Sequence, residues 1–167
     1  MSGEDSLTRL LTEAVAHSRC HVAQGGLPFV GVVVTTDGIV SPPGVNQVRQ
    51  TGDPTAHAEV VAMRAMTASH GSDALHGATL LATGEPCTLC YRFAADHGIA
   101  RVIYAVDQDT AAAWGFDYRG GLDVLTPAQR ALFERAEHRP VPRRLEPFAN
   151  YLQLRGIPVP GTETSTL

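Results

Sequence analysis

Two short segments carry the side chains with the clearest capacity for chemistry. Residues 54–59 read P-T-A-H-A-E, and residues 85–90 read E-P-C-T-L-C. Cysteines three residues apart on one helical turn lie on a common face, so Cys87 and Cys90 can share a metal ion. A helix N-terminus favours thiolates, because the positive end of the helix dipole lowers thiol pKa values. Taken alone, however, a C-x-x-C pair is equally consistent with redox chemistry or coincidence.

His57 and Glu59 lie two residues apart, a spacing that points side chains to nearly opposite sides of a regular helix. Both can serve one site only if that site lies beyond the end of the helix, close to its axis. We therefore predict that two helix N-termini face one another across a cation. In this arrangement His57, Cys87 and Cys90 are the metal ligands, and Glu59 lies near the metal without binding it.

The number of ligands indicates the kind of metal site. A structural zinc normally has four protein ligands, whereas a catalytic zinc has three and keeps a position for water. The one remaining cysteine, Cys20, belongs to a separate predicted helix. Three ligands and a nearby carboxylate therefore predict a catalytic site with Zn²⁺ as cofactor. Glu59 would take a proton from the activated water and return it.

Hydrophobic periodicity and turn signals predict how these segments are positioned. The predicted elements are helix 6–23, strands 29–36 and 39–46 joined at Asp37-Gly38, a helix from 53–55 to 69, strand 78–83, helix 86–97, strand 101–106, helix 127–137, a weak strand 141–145 and helix 147–155. Strands that alternate with helices need crossover connections and therefore have parallel neighbours. We expect one α/β domain over residues 1–155, with a mixed sheet of about five strands and helices on both faces. Residues 156–167 would form a tail.

Composition and charge narrow the class of partner. The 167 residues suit a single domain, and three cysteines do not suit a disulfide framework. A net charge of −4 provides no broad basic surface for a nucleic-acid backbone. No stretch approaches the roughly 20 apolar residues of a membrane span, and the acidic N-terminus is unlike a secretory signal. We expect a cytoplasmic protein that binds neither membranes nor nucleic acid.

The two segments together resemble the H-x-E…P-C-x-x-C signature of the zinc deaminases of cytidine deaminase type. The resemblance covers roughly residues 8–118 and is greatest to the bacterial guanine deaminases, on residues 27–31 (L-P-F-V-G), 53–59 (D-P-T-A-H-A-E) and 114–117 (W-G-F-D). It implies a three-layer α/β/α cytidine deaminase-like fold and an activated water that attacks the amine-bearing carbon of a free nucleobase. It also implies that the catalytic residue Glu59 protonates the ring nitrogen and the departing ammonia.

The resemblance further implies which residues bind the base. Phe29 and the Ala58 backbone belong to matching segments, and Asn46 matches a family asparagine that hydrogen-bonds the base. An amide suits a nucleobase edge because it has both donors and an acceptor. Asp117 matches an acid that accepts hydrogen bonds from a guanine-type N–H edge. The alternatives are that Asn46 closes the hairpin strand and that Asp117 is a loop residue.

The C-terminal segment is expected to have a role in assembly. The resemblance to guanine deaminases implies a homodimer in which the C-terminal segment of one subunit closes the pocket of the other. Phe148, the predicted substrate-binding residue Tyr151 and the tail after them are the candidates for that contact here.

Three departures from the family pattern bear on the substrate. Tyr91-Arg92-Phe93 replaces small residues after Cys90, Gly84 stands where guanine deaminases tend to have cysteine, and Gly120-Gly121 replaces a bulkier run. Bulky residues beside the zinc helix would narrow or reshape the pocket or an oligomer interface. Guanine is therefore the first of several substrates, with cytosine, ammeline and another aminopurine as alternatives. A tRNA adenosine deaminase and a zinc protein without catalysis are the competing function classes.

Overall fold

The computed structural model of the protein describes residues 2–161. Within these residues the strands are β1 (Val30–Val34), β2 (Gly44–Val45), β3 (Thr79–Gly84), β4 (Arg101–Val106) and β5 (Glu137–His138). The helices are α1 (Gly3–Ala23), α2 (Val48–Thr51), α3 (Ala58–His70), α4 (Thr88–Asp96), α5 (Gln108–Ala113), α6 (Pro127–Glu134) and α7 (Glu146–Leu154). Ser72–Leu75 and Leu122–Val124 are short 3₁₀ helices.

The five strands form one mixed sheet in the order β2-β1-β3-β4-β5. β1 pairs antiparallel with both β2 and β3, whereas β3 is parallel to β4 and β4 to β5. The prediction of an antiparallel hairpin followed by parallel crossovers is confirmed. Because β3 and β4 are parallel, the segments that follow them emerge at the same edge of the sheet, where α/β proteins commonly place their sites.

Apolar side chains alternate along the strands, so each face of the sheet has its own core. On one face, Val30 and Val32 of β1 pack with Leu11 of α1. On the other, Val33 of β1 and Leu80 of β3 belong to the core that includes residues of α3 and α4. Helices therefore cover both faces, and the predicted three-layer α/β/α architecture is confirmed.

The last strand differs from the sequence prediction. A weak strand was expected over residues 141–145, but β5 lies at Glu137–His138, where it pairs in parallel with β4. Pro140 and Pro142 flank Val141, and a proline cannot donate a hydrogen bond to a strand ladder. Val141 instead packs, buried, into the core beneath α1. The prediction of a strand over 141–145 is wrong, because Val141 packs into the core from an irregular segment.

The helix that carries the first motif begins later than predicted. The sequence indicated a start at residues 53–55, but α3 begins at Ala58 and His57 is its N-cap. The carboxylate of Asp53 accepts hydrogen bonds from the backbone N–H and the hydroxyl of Thr55, at 2.9 and 2.6 Å. Asp53 therefore stabilises a turn before the helix rather than its first turn.

The close approach of β2 to α3 depends on Gly44. A Cβ atom there would overlap the carbonyl oxygen of Ala58 and lie 2.6 Å from the nitrogen of Ala62, both in the backbone of α3. Gly44→Ala is expected to lower the free energy of unfolding by about 3 kcal/mol, measured by urea denaturation, because the helix must move off the sheet. Gly3→Ala is the control, since its added Cβ meets nothing within 4 Å. Equal losses in both variants would contradict the argument.

Two further observations concern the ends and the surface of the chain. Over residues 2–161, no helix is both long and apolar enough to cross a bilayer. The domain boundary after residue 155 stays a prediction, although α7 ends at Leu154. Of the predicted tail, residues 162–167 lie outside the described part of the chain.

Candidate metal centre

The three predicted metal ligands meet where α3 and α4 begin. His57 is the N-cap of α3, Cys87 is the N-cap of α4, and Cys90 lies in the first turn of α4. Their ligand atoms all lie within 4.8 Å of one another. Elsewhere in residues 2–161, no other group of three histidine, cysteine or acidic side chains has a comparable arrangement. The two helix starts therefore build one metal-binding cluster.

The spacing of the donor atoms fits a zinc ion. The sulfur atoms of Cys87 and Cys90 are 3.6 Å apart, and Nδ1 of His57 lies 3.4 Å from the first and 3.6 Å from the second. A tetrahedral zinc with Zn–S near 2.3 Å and Zn–N near 2.0 Å holds such atoms about 3.5–3.8 Å apart. One imidazole and two thiols leave the fourth tetrahedral position available to a water or a substrate.

The hydrogen bond between the two thiols separates their acidities. It is the main cause that lowers the pKa of Cys87, with a further contribution from the His57 hydrogen bond. The same contact, together with burial, raises the pKa of Cys90. A cation bound by both sulfur atoms takes the place of the proton between them, so metal binding at this cluster releases protons.

Glu59 lies beside the ligands without joining them. It is the second residue of α3, is only 6% exposed, and accepts a hydrogen bond on Oε2 from the Cys90 thiol at 3.3 Å. Burial raises the pKa of Glu59 to about 7. A carboxyl group with a pKa near neutrality is suited both to accept and to return a proton.

Hydrogen bonds outside the cluster fix the loop that carries His57. The hydrogen bond to Cys87 is the main cause that raises the pKa of His57, and the backbone of Pro54 in this loop adds a smaller contribution. Arg64 anchors the same loop by donating to Asp53 at 2.8 Å and to Thr55 at 2.9 Å. The D-P-T segment thus supports the metal ligand.

An open cavity leads to the cluster. Its lining residues are Leu27, Phe29, Asn46, His57, Ala58, Glu59, Glu85, Cys87 and Tyr118. Of the residues predicted to bind a substrate, Phe29, Asn46 and Ala58 are therefore brought together with the predicted metal ligands.

Two other predicted substrate-binding residues do not line this cavity. Asp117 is exposed, and its carboxylate accepts hydrogen bonds from two guanidinium nitrogens of Arg119, each at 2.9 Å. Tyr151 packs edge-on against Phe116, with ring centroids 5.0 Å apart, and lines a separate groove. The arginine pairing and the position of α7 direct both side chains elsewhere, so their roles in base binding stay predictions.

The bulky residues after Cys90 also lie away from the cavity. Tyr91 is fully buried and packs edge-on against Phe133 at 5.2 Å, while Phe93 stacks on His97 at 4.1 Å. Arg92 is exposed. The first turn of α4 directs only its ligand cysteines toward the site, so the expected narrowing by these residues does not occur within the described chain.

Three lining residues were not predicted from the sequence. Glu85 is the first residue of the second segment, directly after β3, and Leu27 is the first residue of the matching segment 27–31, so both were within reach of motif reasoning. Tyr118 lies in an irregular segment, and its ring packs edge-on against Phe29 with centroids 5.9 Å apart. Nothing in the sequence distinguishes Tyr118 from its neighbour Asp117 as the inward-facing residue.

Residues 4–106 match the family model described as the cytidine and deoxycytidylate deaminase zinc-binding region. The chain is also 33% identical over 111 residues to the tRNA(Ile)-lysidine synthase of Deinococcus radiodurans, a match over 66% of this chain. The chain spans only about a fifth of that relative, 19% of its length.

Other relatives are matched over most of their own length. The guanine deaminase of Bacillus subtilis is 35% identical over 119 residues, which cover 70% of this chain and 72% of that protein. The tRNA-specific adenosine deaminase of Agrobacterium fabrum is 31% identical over 106 residues, 64% of this chain and 69% of that one. The X-ray structure of guanine deaminase from Bacillus subtilis superposes over 100% of both chains, with a TM-score of 0.62 and 29% identity.

Proposed function

Because this chain belongs to the cytidine and deoxycytidylate deaminase zinc-binding family, we propose that it hydrolyses the exocyclic amine of a free nucleobase, with guanine as the substrate and ammonia as a product. The observation that carries the proposal is the placement of Glu59. This carboxyl is buried against Cys90, beside three ligand atoms suited to zinc, at the open cavity that Phe29 and Asn46 also line. A purely structural zinc site gives no reason for such a neighbour.

The residues of the site divide the work of this reaction. His57, Cys87 and Cys90 hold the zinc ion, which when bound supplies a Lewis acid that activates water for attack. Glu59 Oε2 would relay the two protons of the attacking water in turn, the first to the ring nitrogen and the second to the amine, which departs as ammonia. Phe29 provides an apolar surface for the base. Water and the amine-bearing ring thus become a carbonyl-bearing ring and ammonia.

The choice of a free base rests on charge as well as on similarity. The guanine deaminase of Bacillus subtilis is matched over 72% of its length. The net charge of −4 is unfavourable for a tRNA substrate, whose backbone attracts basic surfaces. The similarity to a tRNA-specific adenosine deaminase keeps that activity as the second candidate. Cytosine, ammeline and other aminopurines remain alternative small substrates.

An ammonia-release screen tests the proposal. The zinc-loaded protein is incubated with guanine, cytosine, adenine, ammeline, the corresponding nucleosides and a tRNA transcript. We expect release from guanine, with the free base favoured over guanosine. If ammonia is released from another free base instead, that base replaces guanine as the proposed substrate. If ammonia is released only from tRNA, and added salt abolishes the release, the tRNA adenosine deaminase activity is favoured. Zinc-loaded protein that releases ammonia from none of these compounds would contradict the proposed function.

We also propose that the active protein is a cytoplasmic homodimer, with Tyr151 and the segment after it in contact with the second subunit. Phe148, the other candidate for this contact, is fully buried in its own subunit and packs edge-on against Phe29. The exposed side chains of Leu154 and Ile157 at the end of α7 support this proposal, because exposed apolar groups favour association. Light scattering of the purified protein tests the oligomeric state. A monomer at micromolar concentration would contradict the dimer without affecting the chemistry proposed for the cavity.

A further inference from the structure

Two aromatic side chains line the same cavity as the metal ligands. Phe29 and Tyr118 both line the cavity and pack edge-on with each other. Gly84 of β3 lies beneath them, since a Cβ atom there would come within 2.7 Å of the Phe29 ring and 3.6 Å of the Tyr118 hydroxyl. Because residue 84 has no side chain, both rings can pack directly against β3. The position of Tyr118 in the cavity therefore depends on Gly84.

The hydroxyl of Tyr118 has only one proton, and the protein already uses it. The hydroxyl donates to the backbone carbonyl of Glu85 at 2.7 Å. A carbonyl cannot donate in return, so the direction of this bond is certain. Burial also raises the pKa of Tyr118, which keeps the phenol protonated. The oxygen can therefore only accept a hydrogen bond from a group in the cavity.

Asn46 has the opposite hydrogen-bonding role to Tyr118, because its free group is a donor. Its Oδ1 accepts a hydrogen bond from the backbone N–H of Val48 at 3.1 Å. Among the described residues, no atom accepts a hydrogen bond from its side-chain nitrogen, so this amide is left as a donor toward the cavity. The cavity thus combines a donor from Asn46 with an acceptor from Tyr118. A molecule that satisfies both must carry an acceptor and an N–H group.

We infer that Tyr118 is a specificity-determining residue whose hydroxyl oxygen accepts a hydrogen bond from a ring N–H of the substrate base. The inference rests on the proposed function, because it names the edge that the same cavity recognises. It identifies the substrate class as unsubstituted bases with a ring N–H beside an acceptor. Asp117, the residue that the sequence suggested for this contact, is engaged with Arg119 outside the cavity.

The test compares Tyr118→Phe with the wild type on guanine, 1-methylguanine and 9-methylguanine, using zinc-loaded protein. Each methyl group removes one ring N–H. Calorimetry gives Kd, and ammonia release gives kcat and KM. Tyr118→Phe is expected to weaken the binding of guanine roughly 5- to 50-fold, seen mainly as a rise in Kd and KM. The reason is that the ring N–H of the base loses its acceptor in a buried site. For one of the two methylated bases it is expected to cause no further loss, which identifies the ring nitrogen concerned.

Tyr91→Phe is the matched control, since it removes a buried phenolic oxygen that does not line the cavity; guanine binding is expected to stay unchanged. The inference is overturned if Tyr118→Phe changes the Kd of guanine less than twofold, or weakens all three bases by the same factor. If the screen identifies another base, that base and its N-methyl forms replace the guanine set. A base that binds but is not deaminated counts against the proposed function alone, and binding of no base counts against both.

Discussion

Glu59→Gln is expected to lower kcat for the base identified by the screen by roughly 10²- to 10⁴-fold, the usual contribution of a positioned acid–base group. Glutamine keeps the size and a hydrogen-bonding oxygen but cannot carry the proton. Because the zinc ligands are His57, Cys87 and Cys90, the ion is expected to remain at one per chain. Steady-state ammonia release and metal analysis of the same sample measure the two quantities.

Glu13→Gln is a suitable control for Glu59→Gln. Glu13 is an exposed acid of α1 paired with Arg9 at 2.7 Å, on a helix remote from the ligand motifs, so the same chemical change there should leave kcat unaltered. A fall in zinc content that accompanies the loss of activity would assign a structural role to Glu59. Activity within tenfold of the wild type in Glu59→Gln would show that the proposed proton transfer is wrong.

Cys87→Ala is expected to abolish both zinc binding and ammonia release. Losing an outer hydrogen-bond partner of a ligand typically lowers metal affinity about 10- to 100-fold, and losing the ligand itself costs more than about 100-fold. Zinc at 100 to 1,000 times its Kd stabilises a fold by about 2.7–4.1 kcal/mol. Chelation should therefore lower the free energy of unfolding of the wild type by that amount and leave Cys87→Ala unchanged.

The chain provides a matched control for this substitution. Cys20 is an exposed cysteine of α1 outside the cluster, so Cys20→Ala should keep the zinc, the activity and the sensitivity to chelation. Stoichiometric zinc in Cys87→Ala, or a wild type whose unfolding is indifferent to chelators, would contradict the three-ligand site. Zinc content, ammonia release and denaturation with and without chelator are measured on all three proteins.

The ligand cluster was predictable from the sequence because its geometry is local. Cys87 and Cys90 share a helical turn, and a proline lies shortly before each ligand segment, at Pro54 and Pro86. Their use at one site required only that both segments begin helices. The mixed sheet was similarly predictable, since alternation of strands and helices leaves few connections open. The predicted start of α3 failed because Asp53 can stabilise either a helix or the turn before one.

The lining of the cavity was decided by tertiary structure. The orientation of residues 115–119 depends on packing against Phe29, on the lack of a side chain at Gly84 and on the pairing of Arg119 with Asp117. Phe29 and Gly84 are distant in sequence from this segment, and residue type alone does not show which of its side chains faces the cavity. Packing also places β5 at residues 137–138, where it can pair with β4, and not at residues 141–145. The sequence by itself determined the metal-binding chemistry, because spacing along a helix fixes which side chains share a face. Packing between distant segments decided which groups reach the base, since no local pattern records it.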